Sequence, residues 1–424
     1  MRLLIKNGRV IDPASKIDDT LDILVDNARI ANIAKDIKNG SSQVIDASGK
    51  IIIPGIVDMH VHLREPGRED KETVLTGTLA ALKGGVTSIL AMANTNPAMD
   101  SPEAIDILNQ IIKKNAKANV YICGAITKKR QGQELVNISR LKKSGAIAIS
   151  DDGFSVDDQV LFSKAIKKAK QDGVLVICHS EDRHLSGAGV MNLGMVSTRL
   201  GLKGISKESE YKRVERDINL AKETLGSVHI AHVSCKESVE MIALAKKKGL
   251  KITAETAPHY FTLTEEAVSG YNTNMKMNPP LRTKADVQAI INGLRNGTID
   301  AIASDHAPHT VNEKDVEFDR AEFGTIGLET SLSLGITELV DKSILNWPEL
   351  VKKLCLNPAK ILKIDKGTLK LGADADITII SGDKEWTVDK KTLISKSKNS
   401  SFLGRKLKGI VEYTICNGNI VYKR

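Results

Sequence analysis

With 424 residues, 41% of them hydrophobic, the chain can bury a large core, which excludes a disordered or fibrous protein. A formal net charge of +9 invites a nucleic-acid reading. Aromatics make up only 3%, however, and the lysines fall in short runs such as IKKAKQDG and ALAKKKGLK, so solvated helix faces are expected and nucleic-acid binding is not.

The excess of positive charge also favours anionic substrates. No apolar stretch reaches the ~18 residues of a membrane span. The start MRLLIKNGRVID turns polar after five residues, without the apolar centre of a signal peptide. The five cysteines form no CxxC pair, so reduced thiols and a cytoplasmic setting are expected.

In chain order, residues 1–50 read as short strands joined by turns: KNGRVID, LDILVDNARIANI and QVIDASGK, with Asn7-Gly8 as a hairpin-turn signal. From 51 to about 309, apolar runs alternate with helical segments. The strand candidates are IIIPGIVDMHVH (51–62), VTSILAMANT (86–95), NVYICGAI (119–126), AIAISDD (146–152), VLVICHSED (174–182), VHIAHVSC (228–235), KITAETAPHY (251–260) and DAIASDHAPH (300–309). Each begins apolar, as a strand buried on both faces does, and ends in chemically capable residues. Between them, SPEAIDILNQIIKKNAK offers Ser101 as N-cap, Pro102 at the first helical position and one apolar face; TKADVQAIINGLRNG repeats the design.

The final stretch, with ADADITII and EYTICNGNIVYK, again reads as strands, turned at Asn417-Gly418. Neither end alone buries a core. The expected architecture is therefore α/β: a (β/α)8 barrel over 51–365, with 1–50 and 366–424 pairing into one small β-sandwich. An open doubly wound sheet is the rival, but no glycine-rich phosphate loop follows the first strand.

Barrel active sites lie at the C-terminal ends of the strands, where this chain keeps its polar residues. In an extended strand, positions i and i+2 share a face, so His60 and His62 present two imidazoles suited to zinc. His179 and His232 end the fifth and sixth strands, Asp305 ends the eighth, and Asp151 and Asp152 end the fourth. Four histidines and at least two carboxylates on one barrel mouth suffice for two divalent cations sharing a bridging carboxylate. Of the adjacent aspartates, Asp152 is preferred and Asp151 is expected to be structural. His229 is expected to be packed or on the surface and His184 solvated, and His259 and His306 only border the site.

DMHVHLREPG, MANTNP, SDDG, KMNPPLR, SDHAPHT and EFGTIGLET, together with GADADITII, resemble the class I, bacterial-type dihydroorotases of the amidohydrolase superfamily across essentially the whole chain. The resemblance implies reversible ring opening of (S)-dihydroorotate to N-carbamoyl-L-aspartate, run toward closure in pyrimidine synthesis. It implies that His60 and His62 hold one zinc, His179 and His232 the other, with Asp152 bridging. It makes Asp305 both a ligand and the general acid/base. Arg64, Asn94 and His309 would clamp the substrate carboxylate beside His62. Asn278 and the backbone around Phe323 and Gly324 would meet the ring amide edges. Residues 310–325 read as a polar loop suited to a lid.

Hydantoinases, allantoinases and animal-type dihydroorotases use a carboxylated lysine as the metal bridge. The fourth strand here ends in SDDG, which favours the aspartate-bridged type. The alternatives are another cyclic amidohydrolase of the dihydropyrimidinase or allantoinase kind, and a silent homologue partnering aspartate transcarbamoylase. A homodimer is also compatible with the resemblance.

Overall fold

The computed structural model describes residues 2–38, 40 and 43–424. Of the expected terminal segment 1–50, Met1, Asn39, Ser41 and Ser42 lie outside the described residues.

The chain opens with β1 (Arg2–Asp12), β2 (Ile17–Asp26), β3 (Arg29–Ala34), β4 (Gln43–Asp46) and β5 (Ile51–Pro54). β1 pairs antiparallel with β2 and parallel with β4 and β5. The end of the chain supplies β16 (Ile377–Thr387), β17 (Lys406–Cys416) and β18 (Asn419–Lys423). β16 pairs antiparallel with β5, so both ends of the sequence enter one eight-stranded sheet. Leu3, Ile23, Val25, Ile52, Ile377 and Ile415 form its buried cluster.

Asn417 and Gly418, both at positive φ, turn β17 into β18 as the Asn-Gly signal predicts. Asn7-Gly8 does not make a hairpin. Asn7 takes φ 61° inside β1, where the register with β2 slips between Ile5 and Gly8, so the left-handed residue makes a bulge instead.

The barrel strands are β6 (Ile56–Val61), β7 (Val86–Ala91), β8 (Asn119–Gly124), β9 (Ala146–Ile149), β10 (Leu175–Cys178), β13 (Val228–Ile230), β14 (Ile252–Thr256) and β15 (Ala301–Ile302); a short ribbon, β11 (Met191–Asn192) and β12 (Gly204–Ile205), intervenes. The eight run parallel in sequence order, as the alternating pattern predicts. A bridge between Val61 and His306 links the first strand to the residues after the last. Asp58 reinforces this seam by accepting the Ser304 N–H at 3.1 Å. Met59, Leu90, Cys123, Ile177, Ala231 and Ala303, drawn from around the barrel, belong to one buried cluster filling its interior.

Expected strand 51–62 is two strands in two sheets. The exchange happens at Gly55, where a Cβ would fall 2.1 Å from Thr87 Oγ1. Only glycine lets the backbone pass that close, so Ile51–Pro54 belongs to the terminal sheet and not to the barrel. The other barrel strands end earlier than expected, because the ladder stops where side chains turn into the site. Ser101 and Thr283 cap their helices, with Pro102 in the first turn after Ser101. Among the described residues, no helix is long and apolar enough to cross a membrane.

Candidate active site

β6 carries an irregularity between Asp58 and Val61, where three steps on β6 match two on β7. Bulges re-aim side chains beside active sites, and this one sits at His60. Asp152, His179, His232 and Asp305 all lie just past their strand ends. Arg64, His232 and Asp305 hold left-handed backbone, with φ of 62°, 36° and 47°. Non-glycine residues adopt that region at a cost, and such residues cluster at functional sites.

The side chains converge on one carboxylate. Asp152 Oδ1 lies 3.2 Å from His60 Nε2, 3.4 Å from His179 Nδ1 and 3.5 Å from His232 Nε2, while Oδ2 is 3.5 Å from His62 Nε2. Asp305 Oδ1 is 3.4 Å from His62 Nε2 and 3.8 Å from His60 Nε2. His60, Asp152 and His232 form one cation-sized donor group, and His60, His62 and Asp305 a second.

The outward ring nitrogens are tethered. His60 Nδ1 donates to Glu255 at 2.7 Å, His62 Nδ1 to Asn94 Oδ1 at 2.7 Å, and His179 Nε2 faces Glu181 at 3.3 Å. These acceptors hold the outer N–H and aim the inner lone pair at the centre, as outer partners of metal-bound histidines do. His60 Nε2 and Asp152 Oδ1 are buried and find no hydrogen-bond partner among the described residues. Buried polar atoms without partners are costly, and a cation between them would remove that cost.

The electrostatics agree. Burial alone would raise the Asp152 carboxyl, but the imidazoles of His60, His179 and His232 crowded around it hold it well below the usual range. Asp305 is lowered too: burial is outweighed by His62, His60 and His232. Burial works against the His179 imidazolium, yet the adjacent carboxylates of Asp152 and Glu181 carry it up to about 9. His60 rises well above its ordinary value because Asp152 and Glu255 overcome its burial, whereas burial and Arg64 leave His62 lowered. The centre therefore favours positive charge, and its imidazole and carboxylate donors fit divalent cations.

The cavity above measures about 450 Å3 and is lined by His62, Arg64, Asn94, Asn278, His309 and Phe323, among others. Arg64 Nε donates to the Pro308 carbonyl at 3.2 Å, and burial brings its guanidinium down to about 10 against the pull of Asp305 and Asp152. Asn278 Nδ2 donates to Glu181 Oε2 at 3.0 Å. Every residue read from the sequence as a site residue thus lies at one place.

Gly324, at φ 139°, packs so closely that a Cβ would fall 2.7 Å from Ala307 Cβ and 3.1 Å from His309 Nε2. Gly324→Ala is expected to lower stability by about 1–3 kcal/mol through backbone strain. It should also cut kcat/KM at least about tenfold by displacing the Phe323 backbone and His309. Thermal unfolding and steady-state kinetics read the two effects separately.

The excluded histidines also find their places. His229 is buried against Thr253 at 2.8 Å and near Glu255, and His184 is exposed. His306 accepts the Gly327 N–H and faces Glu72. His259 is buried, which pulls it down to about 4. Asp151 accepts the N–H groups of Ile126 and Thr127, a structural tie. Loop 310–325 contains one helical turn, Val311–Lys314, closed by a Thr310–Glu313 capping box.

Sequence reasoning missed Glu181 and Glu255. Glu181, two residues beyond His179 in CHSED, carried a faint signal, whereas Glu255 meets His60 across 195 positions.

A family model for dihydro-orotase-like proteins matches residues 49–238. The chain is 54% identical over 420 residues to a dihydroorotase of Elusimicrobium minutum, covering 99% of this chain and 97% of that protein. It is 52% identical over 425 residues to a dihydroorotase of Geobacter metallireducens, with both fully covered. Among solved structures it resembles the L-hydantoinase (dihydropyrimidinase) of Arthrobacter aurescens, with a TM-score of 0.89 at 26% identity over 99% of this chain and 96% of that one. By identity sustained over its full length, the chain belongs to the dihydroorotase family within the amidohydrolase superfamily.

Proposed function

We propose that the chain interconverts (S)-dihydroorotate and N-carbamoyl-L-aspartate, with His60, His62, Asp152, His179, His232 and Asp305 holding two zinc ions. One observation carries the reading. A single buried carboxylate, Asp152, lies within 3.5 Å of a ring nitrogen from each of four histidines, in a cavity that also holds Arg64 and His309. Bound zinc supplies a nucleophilic water at neutral pH and polarises a carbonyl oxygen.

The residues of the chain do the rest. Arg64, Asn94 and His309 receive the substrate carboxylate, the guanidinium through its planar fork. Asn278, whose amide nitrogen is committed to Glu181, turns its oxygen toward a ring N–H, and the backbone at Phe323 and Gly324 meets the other amide edge. Asp305 accepts the proton of the attacking water and returns it to the ring nitrogen as the C–N bond breaks. In the closing direction the same oxygen takes a proton from the ureido nitrogen and delivers it to the departing water.

Assaying dihydroorotate, hydantoin and allantoin side by side, with metal counted per chain, tests the reading. The expected result is turnover of dihydroorotate alone with two zinc equivalents. Faster turnover of hydantoin or allantoin would overturn the substrate, and a metal-free, inert protein would overturn the chemistry. Arg64→Met is expected to raise KM for dihydroorotate roughly tenfold to a hundredfold at nearly unchanged kcat, because the carboxylate keeps its charge throughout the reaction.

A further inference from the structure

One buried cation beside the cavity takes no part in the chemistry above. Lys71 lies in the turn before the helix Val74–Lys83 and is only 5% exposed. Its Nζ is 3.1 Å from His309 Nδ1 and 2.9 Å from Glu313 Oε1. The other ring nitrogen, His309 Nε2, is 2.8 Å from the Phe323 carbonyl oxygen and 3.3 Å from Arg64 Nη2.

An ammonium has three donors and no lone pair, so His309 Nδ1 accepts from Lys71 and carries no hydrogen. The ring hydrogen is then on Nε2, which donates to Phe323. The approach of Arg64 Nη2 is a meeting of two donors, not a hydrogen bond. Burial, Arg64, Lys71 and Lys314 hold the imidazole well below its ordinary value against the opposing pull of Glu313, which favours the neutral ring. Nε2–H and the guanidinium together offer donors only, which suits a carboxylate. Without Lys71, the next neighbour of Nδ1 is Glu313 Oε2 at 3.6 Å, an acceptor. The ionised Glu313 acceptor at Nδ1, together with the Arg64 donor at Nε2, would then outweigh the neutral Phe323 carbonyl that favours Nε2–H. The Nδ1–H ring would turn its Nε2 lone pair toward Arg64 and draw that guanidinium away from the substrate.

We infer that Lys71 is a positioning residue that holds His309 as its Nε2–H tautomer, so that the substrate carboxylate meets donors and no lone pair. The inference rests on Arg64, Asn94 and His309 being the carboxylate clamp. It is tested by ring 15N–1H correlation spectra of the full-length enzyme labelled with 15N-histidine, the His309 signal being assigned by its loss in His309→Gln. Wild type and Lys71→Arg should show Nε2–H. Lys71→Met should show Nδ1–H, with KM for dihydroorotate raised about tenfold or more and kcat within about threefold.

A wild-type ring that is Nδ1–H or doubly protonated overturns the inference, as does a Lys71→Met chain with tautomer and KM unchanged. If Lys71→Met does not fold, the wild-type spectrum decides alone. An Arg64→Met chain with unchanged KM would sink the clamp and leave the tautomer result standing.

Discussion

Asp305→Asn is expected to lower kcat for dihydroorotate by about a thousandfold or more in both directions, while the chain still folds and keeps at least one metal equivalent. The substitution is isosteric, so it removes basicity and charge with little change of shape. Asp305 sits at left-handed backbone past β15, its Oδ1 3.4 Å from His62 Nε2. His62, His60 and His232 hold its carboxyl below the usual range despite burial, so it meets the substrate ionised and able to accept a proton. An amide oxygen at that place accepts hydrogen bonds but cannot take and return a proton. The donor group of His60, Asp152 and His232 does not include position 305, which is why metal should remain. Stopped assays in the opening and closing directions, with elemental analysis of the same samples, make the check. Activity within about tenfold of wild type would assign the proton transfer elsewhere.

The sequence made these six positions readable because barrel geometry sends strand-end residues to one mouth, and histidines ending successive apolar runs have few other uses. Other features depended on contacts the linear pattern does not encode. The run 51–62 reads as one strand because nothing local says that Thr87 will press on Gly55 and divide it between two sheets. Asn7-Gly8 has the chemistry of a hairpin turn, and the pairing with β2 decides that it bulges. Strand ends were overextended because the polar residues that complete each apolar run leave the ladder to build the site. Lys71, in GREDKET, has no local pattern to mark it, because its contact with His309 spans 238 positions. Apolar periodicity reports burial, whereas hydrogen-bond partners across the barrel are set by tertiary packing.

Asp152→Asn should act differently from Asp305→Asn, and the difference tests which of two adjacent aspartates bridges. Among the described residues, Asp152 is the carboxylate within 3.5 Å of all four site histidines. Four neutral imidazoles and one remaining carboxylate offer two dications little compensating charge, and buried charge without compensation is expensive. The Asn amide would also direct N–H donors or a weak oxygen at lone pairs already aimed inward. The group of His60, His62 and Asp305 survives, so metal content is expected to fall from two equivalents to one or fewer, with kcat at least about a thousandfold down. Asp151→Asn is the control. An Asn oxygen there can still accept the Ile126 and Thr127 N–H groups, but an amide nitrogen would replace the oxygen that accepts the Thr127 hydroxyl, so the substitution should cost about 1–3 kcal/mol of stability and leave both metal equivalents in place. If Asp151→Asn stripped the metal and Asp152→Asn retained two equivalents, the bridge would belong to the other aspartate.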